Sequence, residues 1–182
     1  MIRVIDNFLD QEVAERLHRE AVQRSSSGER LFKGYESIDF LADEVVQMVL
    51  PRIDILNTYR LCRSWGFIYD SDVPGVPPHA DPADLNLNLW ITPDSCINDP
   101  EKNGLKIWRI RPPKEWSFLS YNANPKKVMD YIGNRDPEIV SYRFNRAVLF
   151  DSQYFHATNG VSTHPGANNR RVSFTFLFER VA

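Results

Sequence analysis

His79 and Asp81 are separated by a single alanine in the stretch "PPHADPADLNLNLWITP". In extended backbone, side chains two residues apart point the same way, so this imidazole and this carboxylate can close on one ion. A nitrogen and an oxygen donor suit a divalent transition metal, and a third ligand must come from elsewhere in the chain. The remaining histidines are His18, His156 and His164. His156 ends "AVLFDSQYFH", an apolar run passing into a polar corner, where a strand end can present a ligand. His164 lies in "STHPGANN", a loop whose composition fixes a metal poorly, and His18 sits among polar residues of a helical stretch, where a solvated position is expected. His156 is the expected third ligand.

Two imidazoles and one carboxylate occupy one side of a coordination sphere and leave other positions open, the arrangement associated with non-haem Fe(II) oxygenases; closed structural zinc needs four ligands. Open positions need an occupant, and "NRRVSFTFLFER" offers a way to hold one. Arg171, Ser173 and Thr175 share one face of this run by alternation, with Val172, Phe174 and Phe176 on the other. A guanidinium beside a hydroxyl on a buried strand is a carboxylate receptor, because arginine binds carboxylate in a charge-assisted fork. Arg170 falls on the opposite face and is expected as a rim or surface charge.

The elements that must position these groups divide along the chain. "DNFLDQEVAERLHREAVQ" places Val13, Leu17, Ala21 and Val22 on one helical stripe with Asp10 as a helix start, and "FLADEVVQMVLPRI" supplies a second apolar helix that Pro51 ends. Between them "SSSGERLFKG" is a polar break. From Trp65 onward come short aromatic and β-branched runs: "SWGFIYD", "LNLNLWIT", "GLKIWRI", "EIVSYRFNRAVLFD" and "RRVSFTFLFERV". Strands gathered without alternating helices predict antiparallel sheets, hence a mainly β jelly roll with helices packed outside. We expect one domain, residues 1–58 forming a helical N-terminal support and 59–182 the jelly-roll core. Residues 111–137 read as a long loop with one short helix around 126–132. In "DLNLNLWIT" the leucines take one face and Asn86 and Asn88 the other, facing either the pocket or solvent.

With these residues in place, the ordered pattern His79-Ala80-Asp81, then His156, then Arg171-Val172-Ser173 resembles the Fe(II)/2-oxoglutarate-dependent dioxygenases, over roughly residues 60 to 180. The resemblance implies a double-stranded β-helix in which His79, Asp81 and His156 bind Fe(II). It further implies that Arg171, assisted by Ser173, holds the distal carboxylate of 2-oxoglutarate, and that O2 is consumed while 2-oxoglutarate is decarboxylated to succinate. Relatives that halogenate carry a small residue at the carboxylate position, so Asp81 implies hydroxylation. Tyr69, ahead of Tyr59, is the candidate to donate a hydroxyl to the oxoacid. The segment "NGLKIWRIRPP" resembles a strand that passes near the active site in such proteins, and Trp108 and Trp116 read as core or loop anchors.

Composition bounds the partners. A formal charge of −2 over 182 residues provides no basic field for nucleic acid or an anionic membrane, and no run approaches the length of a membrane span. Cys62 and Cys96 lie outside any zinc or redox spacing and read as reduced thiols of a cytoplasmic protein. A small-molecule or peptide substrate is expected, with its choice set by rim loops at 25–40, 70–78, 94–103 and 112–137. Two other functions use the same residues: a non-catalytic jelly-roll module holding a structural or sugar-bridging ion, and a cupin-like metalloenzyme that uses no oxoacid.

Overall fold

The computed structural model describes residues 1–25, 34–55 and 57–181. Most of the polar break expected after the first helix, and part of the 25–40 rim loop, lie outside the described residues. Six antiparallel strands form the major sheet: β1 (Ile2–Ile5), β7 (Arg146–Asp151), β4 (Leu85–Trp90), β9 (Arg171–Arg180), β3 (Tyr59–Tyr69) and β2 (Tyr35–Ser37), in that spatial order. A minor sheet of β6 (Glu138–Val140), β5 (Leu105–Trp108) and β8 (Phe155–Thr158) faces it, which completes a jelly roll. Helices α1 (Gln11–Ser25) and α2 (Ala42–Val49) cover the outside of the major sheet, and α3 (Phe118–Asn122) and α4 (Pro125–Ile132) lie by the minor one.

Alternation decides which side chain faces which layer. Leu87 and Leu89 of β4, Phe174, Phe176 and Phe178 of β9 and Ile68 of β3 all join Leu17, Ala21, Val45 and Val49 of the two helices in one apolar core. Each fully buried leucine or phenylalanine contributes about 1.5–3 kcal/mol, so this layer carries much of the folding free energy. The opposite side of the same strands faces the minor sheet, where Trp90, Val148 and Phe150 meet Leu105, Ile107 and Tyr142.

Several expectations need correction. Residues 138–151 are not one strand: β6 and β7 belong to different sheets, and the chain crosses between them in a turn that ends at Asn145, held at φ 57°. The Asn145 amide also donates to Leu9 O at 2.6 Å and accepts Leu9 N–H at 2.8 Å, which ties the N-terminal segment to the turn. The N-terminal region supplies strands as well as helices, since β1 pairs with β7 and β2 with β3. Residues 111–137 hold two helices rather than one. The second starts at Asn124, whose side chain accepts the Lys127 N–H, followed by Pro125 in the first turn, a favourable start because proline's missing N–H would be unpaired there anyway.

His18 is buried rather than solvated, with Nε2 3.2 Å from the Arg170 carbonyl. Burial, chiefly, holds its pKa below the ordinary imidazole value. Arg170 is likewise no surface charge: it pairs with Glu36 at 2.8 Å and Asp70 at 3.2 Å beneath α1. One glycine position is dictated by packing. A Cβ on Gly104 would lie 2.0 Å from the Val140 carbonyl oxygen where β5 meets β6. No helix of the described residues is long and apolar enough to cross a membrane.

Candidate metal centre

His79 forms an isolated antiparallel bridge to β8, and a reciprocal backbone pair fixes the contact: His79 N–H donates to His156 O at 3.0 Å and His156 N–H to His79 O at 2.8 Å. Two residues on, Asp81 N–H donates to Ser152 O. The three side chains therefore converge, with candidate ligand atoms all within 4.8 Å of one another. His79 Nε2 stands 3.7 Å from Asp81 Oδ1, and His156 Nε2 stands 3.4 Å from Asp81 Oδ2.

The outer nitrogens define what the inner ones can do. Nδ1 of His79 lies 2.8 Å from Pro77 O, and Nδ1 of His156 lies 2.8 Å from Tyr154 O. A carbonyl only accepts, so each Nδ1 carries a proton, and it is the Nε2 of the neutral ring that has a lone pair to offer a metal ion. Burial first, then the neighbouring His156, pulls His79 down to about 4, which keeps it neutral. Burial pushes the Asp81 carboxyl up, but His156 and His79 in their protonated forms, with the Asn86 amide, outweigh it and hold it below the usual carboxylate range. Two imidazole Nε2 atoms and a carboxylate aimed at one point need a cation between them, a proton or a metal ion. The donor set fits a divalent transition metal with several positions left for other ligands.

Amides hold the carboxylate in place. Asn86, fully buried, donates to Asp81 Oδ2 at 3.0 Å and accepts from Asn88 Nδ2 at 2.6 Å. Asn122, at the end of α3, donates to Asp81 Oδ1 at 3.2 Å and to Ala80 O at 2.9 Å. Asn86 and Asn88 thus face the pocket and not solvent. Asn122 had no signal in the sequence: 41 residues separate it from Asp81, and only the docking of α3 brings them together.

The metal group separates a small inner chamber of about 50 Å³, whose wall includes Tyr69, Leu105 and Thr175, from an outer cleft of about 820 Å³. Tyr69 is where the alternation of β3 places it, and Tyr59 is not near the chamber: it sits at the far end of β3, accepting from Arg180 at 3.1 Å. Arg171 and Ser173 adjoin each other beyond the chamber wall. Arg171 is 1% exposed, its Nε donates to Asn103 O at 3.1 Å, and Nη1 lies 3.4 Å from Ser173 Oγ. Its guanidinium carbon is 4.9 Å from the centre of the Tyr69 ring, 5.7 Å from Tyr142 and 5.9 Å from Trp90. Among the described residues no carboxylate pairs with it, although a buried unpaired charge is strongly unfavourable. Nearby, Trp90 Nε1 is a buried donor with no acceptor among the described residues. His164 is exposed and takes no part, and Trp108 packs in the core with Phe155 and Val128.

No family model matches the sequence, and no curated protein sequence matches it. Solved structures do match in fold. HygX from Streptomyces hygroscopicus, solved with nickel and 2-oxoglutarate bound, superposes with a TM-score of 0.63 at 13% identity, covering 98% of this chain and 82% of that one. The non-haem α-ketoglutarate-dependent epimerase SnoN from nogalamycin biosynthesis gives 0.65 at 18% identity, covering 98% and 76%. A prolyl-4-hydroxylase from Pseudomonas putida gives 0.58 at 14% identity, covering 100% and 93%. The jelly roll is the one shared by these oxygenase-type proteins.

Proposed function

We propose that this chain is a non-haem Fe(II)- and 2-oxoglutarate-dependent dioxygenase that hydroxylates a small molecule or peptide. The carrying observation is the convergence of two Nε2 lone pairs and the Asp81 carboxylate within 4.8 Å. A buried arginine, Arg171, with no acidic partner among the described residues supports it, as does the likeness in fold to HygX, SnoN and the prolyl-4-hydroxylase.

In this reading His79, Asp81 and His156 hold the iron, with the Pro77 and Tyr154 carbonyls fixing the tautomer and ring orientation of the two imidazoles. Asn86 and Asn122 keep the carboxylate from turning. Arg171 takes the distal carboxylate of 2-oxoglutarate in a charge-assisted pair, Ser173 adds a hydroxyl, and Tyr69, on the chamber wall beside that guanidinium, adds a second. When bound, iron supplies O2 activation coupled to decarboxylation of the oxoacid to succinate and CO2. The inner chamber is small, about 50 Å³, and the outer cleft receives the substrate. Residues 1–182 act as one domain, and the two free thiols fit a reducing, cytoplasmic setting.

The test is anaerobic addition of Fe(II) and 2-oxoglutarate, followed by O2. We expect a visible charge-transfer band that decays as succinate forms. A protein that binds Mn(II) yet gives neither band nor succinate is a metal-holding jelly-roll module, and the oxygenase reading is then overturned.

A further inference from the structure

The pocket-side face of β3 reads from the interior outward as Tyr69, Phe67, Trp65, Arg63. Tyr69 is buried and borders only the inner chamber, Phe67 and Trp65 border both compartments, and Arg63 borders only the outer cleft. Tyr35 on β2 meets Phe67 edge-on at 4.9 Å, and Phe118 on α3, 44% exposed, supplies another ring to the wall. Tyr35, Trp65 and Phe67 are each only partly buried. Aromatic rings left half-covered around one concave site mark a surface that expects a flat apolar partner, and the cleft volume of about 820 Å³ falls within the range of about 300–1,000 Å³ typical of small-molecule sites.

The charges sort in the same direction. Arg60 pairs with Glu179 and Arg180 reaches the Tyr59 hydroxyl, so the cations around this end of the sheet are tied down. Arg63 is exposed, rests 5.7 Å from the centre of the Trp65 ring, and meets no carboxylate among the described residues. Asp39, also on the cleft wall, turns Oδ1 to the backbone, where it accepts Gly66 N–H at 3.3 Å, and makes no ion pair with Arg63. Asp81 is engaged by the metal group. Among the described residues Arg63 is a cation of the cleft wall with no carboxylate against it, and it stands at the mouth, at the end of an aromatic wall that leads to the candidate ligands.

We propose, resting on the oxygenase reading, that the substrate is a small molecule with a flat apolar body and one anionic group, carboxylate or phosphate, which Arg63 holds at the mouth. The body lies along Trp65 and Phe67, so the carbon that reacts is on the end remote from the anion. Arg63 is then a specificity-determining residue.

The test is calorimetric titration of protein loaded with Mn(II) and 2-oxoglutarate, which is redox-silent and has its oxoacid site filled, against 2-naphthoate, 2-naphthyl phosphate and uncharged 2-naphthamide. We expect the anions to bind roughly tenfold more tightly than the amide, Arg63→Ala to erase that difference, and Arg63→Lys to keep part of it. The better of the two anions identifies the group. Equal binding of anion and amide, an unchanged difference in Arg63→Ala, or no binding of any of the three at millimolar concentration overturns the proposal. Titrating 2-oxoglutarate into the Mn(II)-loaded protein separates the two readings: anion preference that depends on Arg63 without any binding of 2-oxoglutarate sinks the oxygenase and leaves the anion-binding cleft standing.

Discussion

The two faces of the major sheet are built from the same strands and both are largely buried, yet only one of them adds the polar groups of a site to its apolar residues. Against α1 and α2 the strands present Leu87, Leu89, Phe174, Phe176 and Phe178. Turned the other way, the same strands present Asn86, Asn88, Arg171, Ser173 and Thr175. Alternation alone assigns the faces, so a single strand carries both the stability of the fold and the polar groups of its site. The hydrocarbon face gains free energy from burial with no directional requirement, whereas the polar face is favourable only where each donor finds an acceptor. Both faces therefore contribute to stability, and the candidate chemistry lies on one of them.

Substitutions can break this contrast. The largest expected effect is Asp81→Ala, which removes a ligand and should lower Mn(II) affinity by more than the roughly 10–100-fold typical of losing an outer partner, measured by calorimetry, while urea denaturation of the metal-free protein changes little. Next, Phe176→Ala should lower unfolding free energy by about 3–5 kcal/mol in urea, with metal affinity of the folded protein preserved. Arg171→Met should behave in the opposite way: 2-oxoglutarate affinity falls on the order of 100-fold, and stability is unchanged or raised, because a buried charge without a carboxylate partner is replaced by an apolar chain of similar length. A loss of stability in Arg171→Met as large as that of Phe176→Ala would erase the contrast between the faces. Asn86→Ala should weaken Mn(II) binding about tenfold through loosened orientation of Asp81.

The smallest effect sharpens the apolar side. His18 is a titratable group packed on the helix-covered face, and burial holds its folded pKa below its unfolded value near 6.5. The unfolded chain then takes up the proton first, so this contribution to stability is present above the unfolded pKa and declines as pH falls through and below it. Denaturant midpoints at pH 7.5 and 5.5 should differ less in His18→Gln than in the parent; an identical difference removes His18 from the balance.

Period-two spacing was enough to pair His79 with Asp81 and Arg171 with Ser173, because an extended chain fixes side-chain direction locally. It placed Arg170 on the opposite face too, but what covers that face is a tertiary matter, and α1 turned an expected surface charge into a buried ion pair with Glu36. His18 follows the same lesson. It stands next to Leu17 and four residues after Ala14, on the buried stripe of α1, and its polar type suggested solvent where its position did not. The edge strands β1 and β2 are short and exist through their partners, which no local pattern reports. Asn122 depends on the docking of α3, so nothing in its own neighbourhood marked it.

The backbones of His79 and His156, the two candidate histidine ligands, are joined to each other, N–H to C=O in both directions. The bite of the site is therefore set by one rung of a ladder and not by the loops that surround it. Insertions and sequence drift in those loops can reshape what enters the cleft without changing the span between the imidazoles, so new substrate preferences can arise on this scaffold while the ion it accepts stays the same.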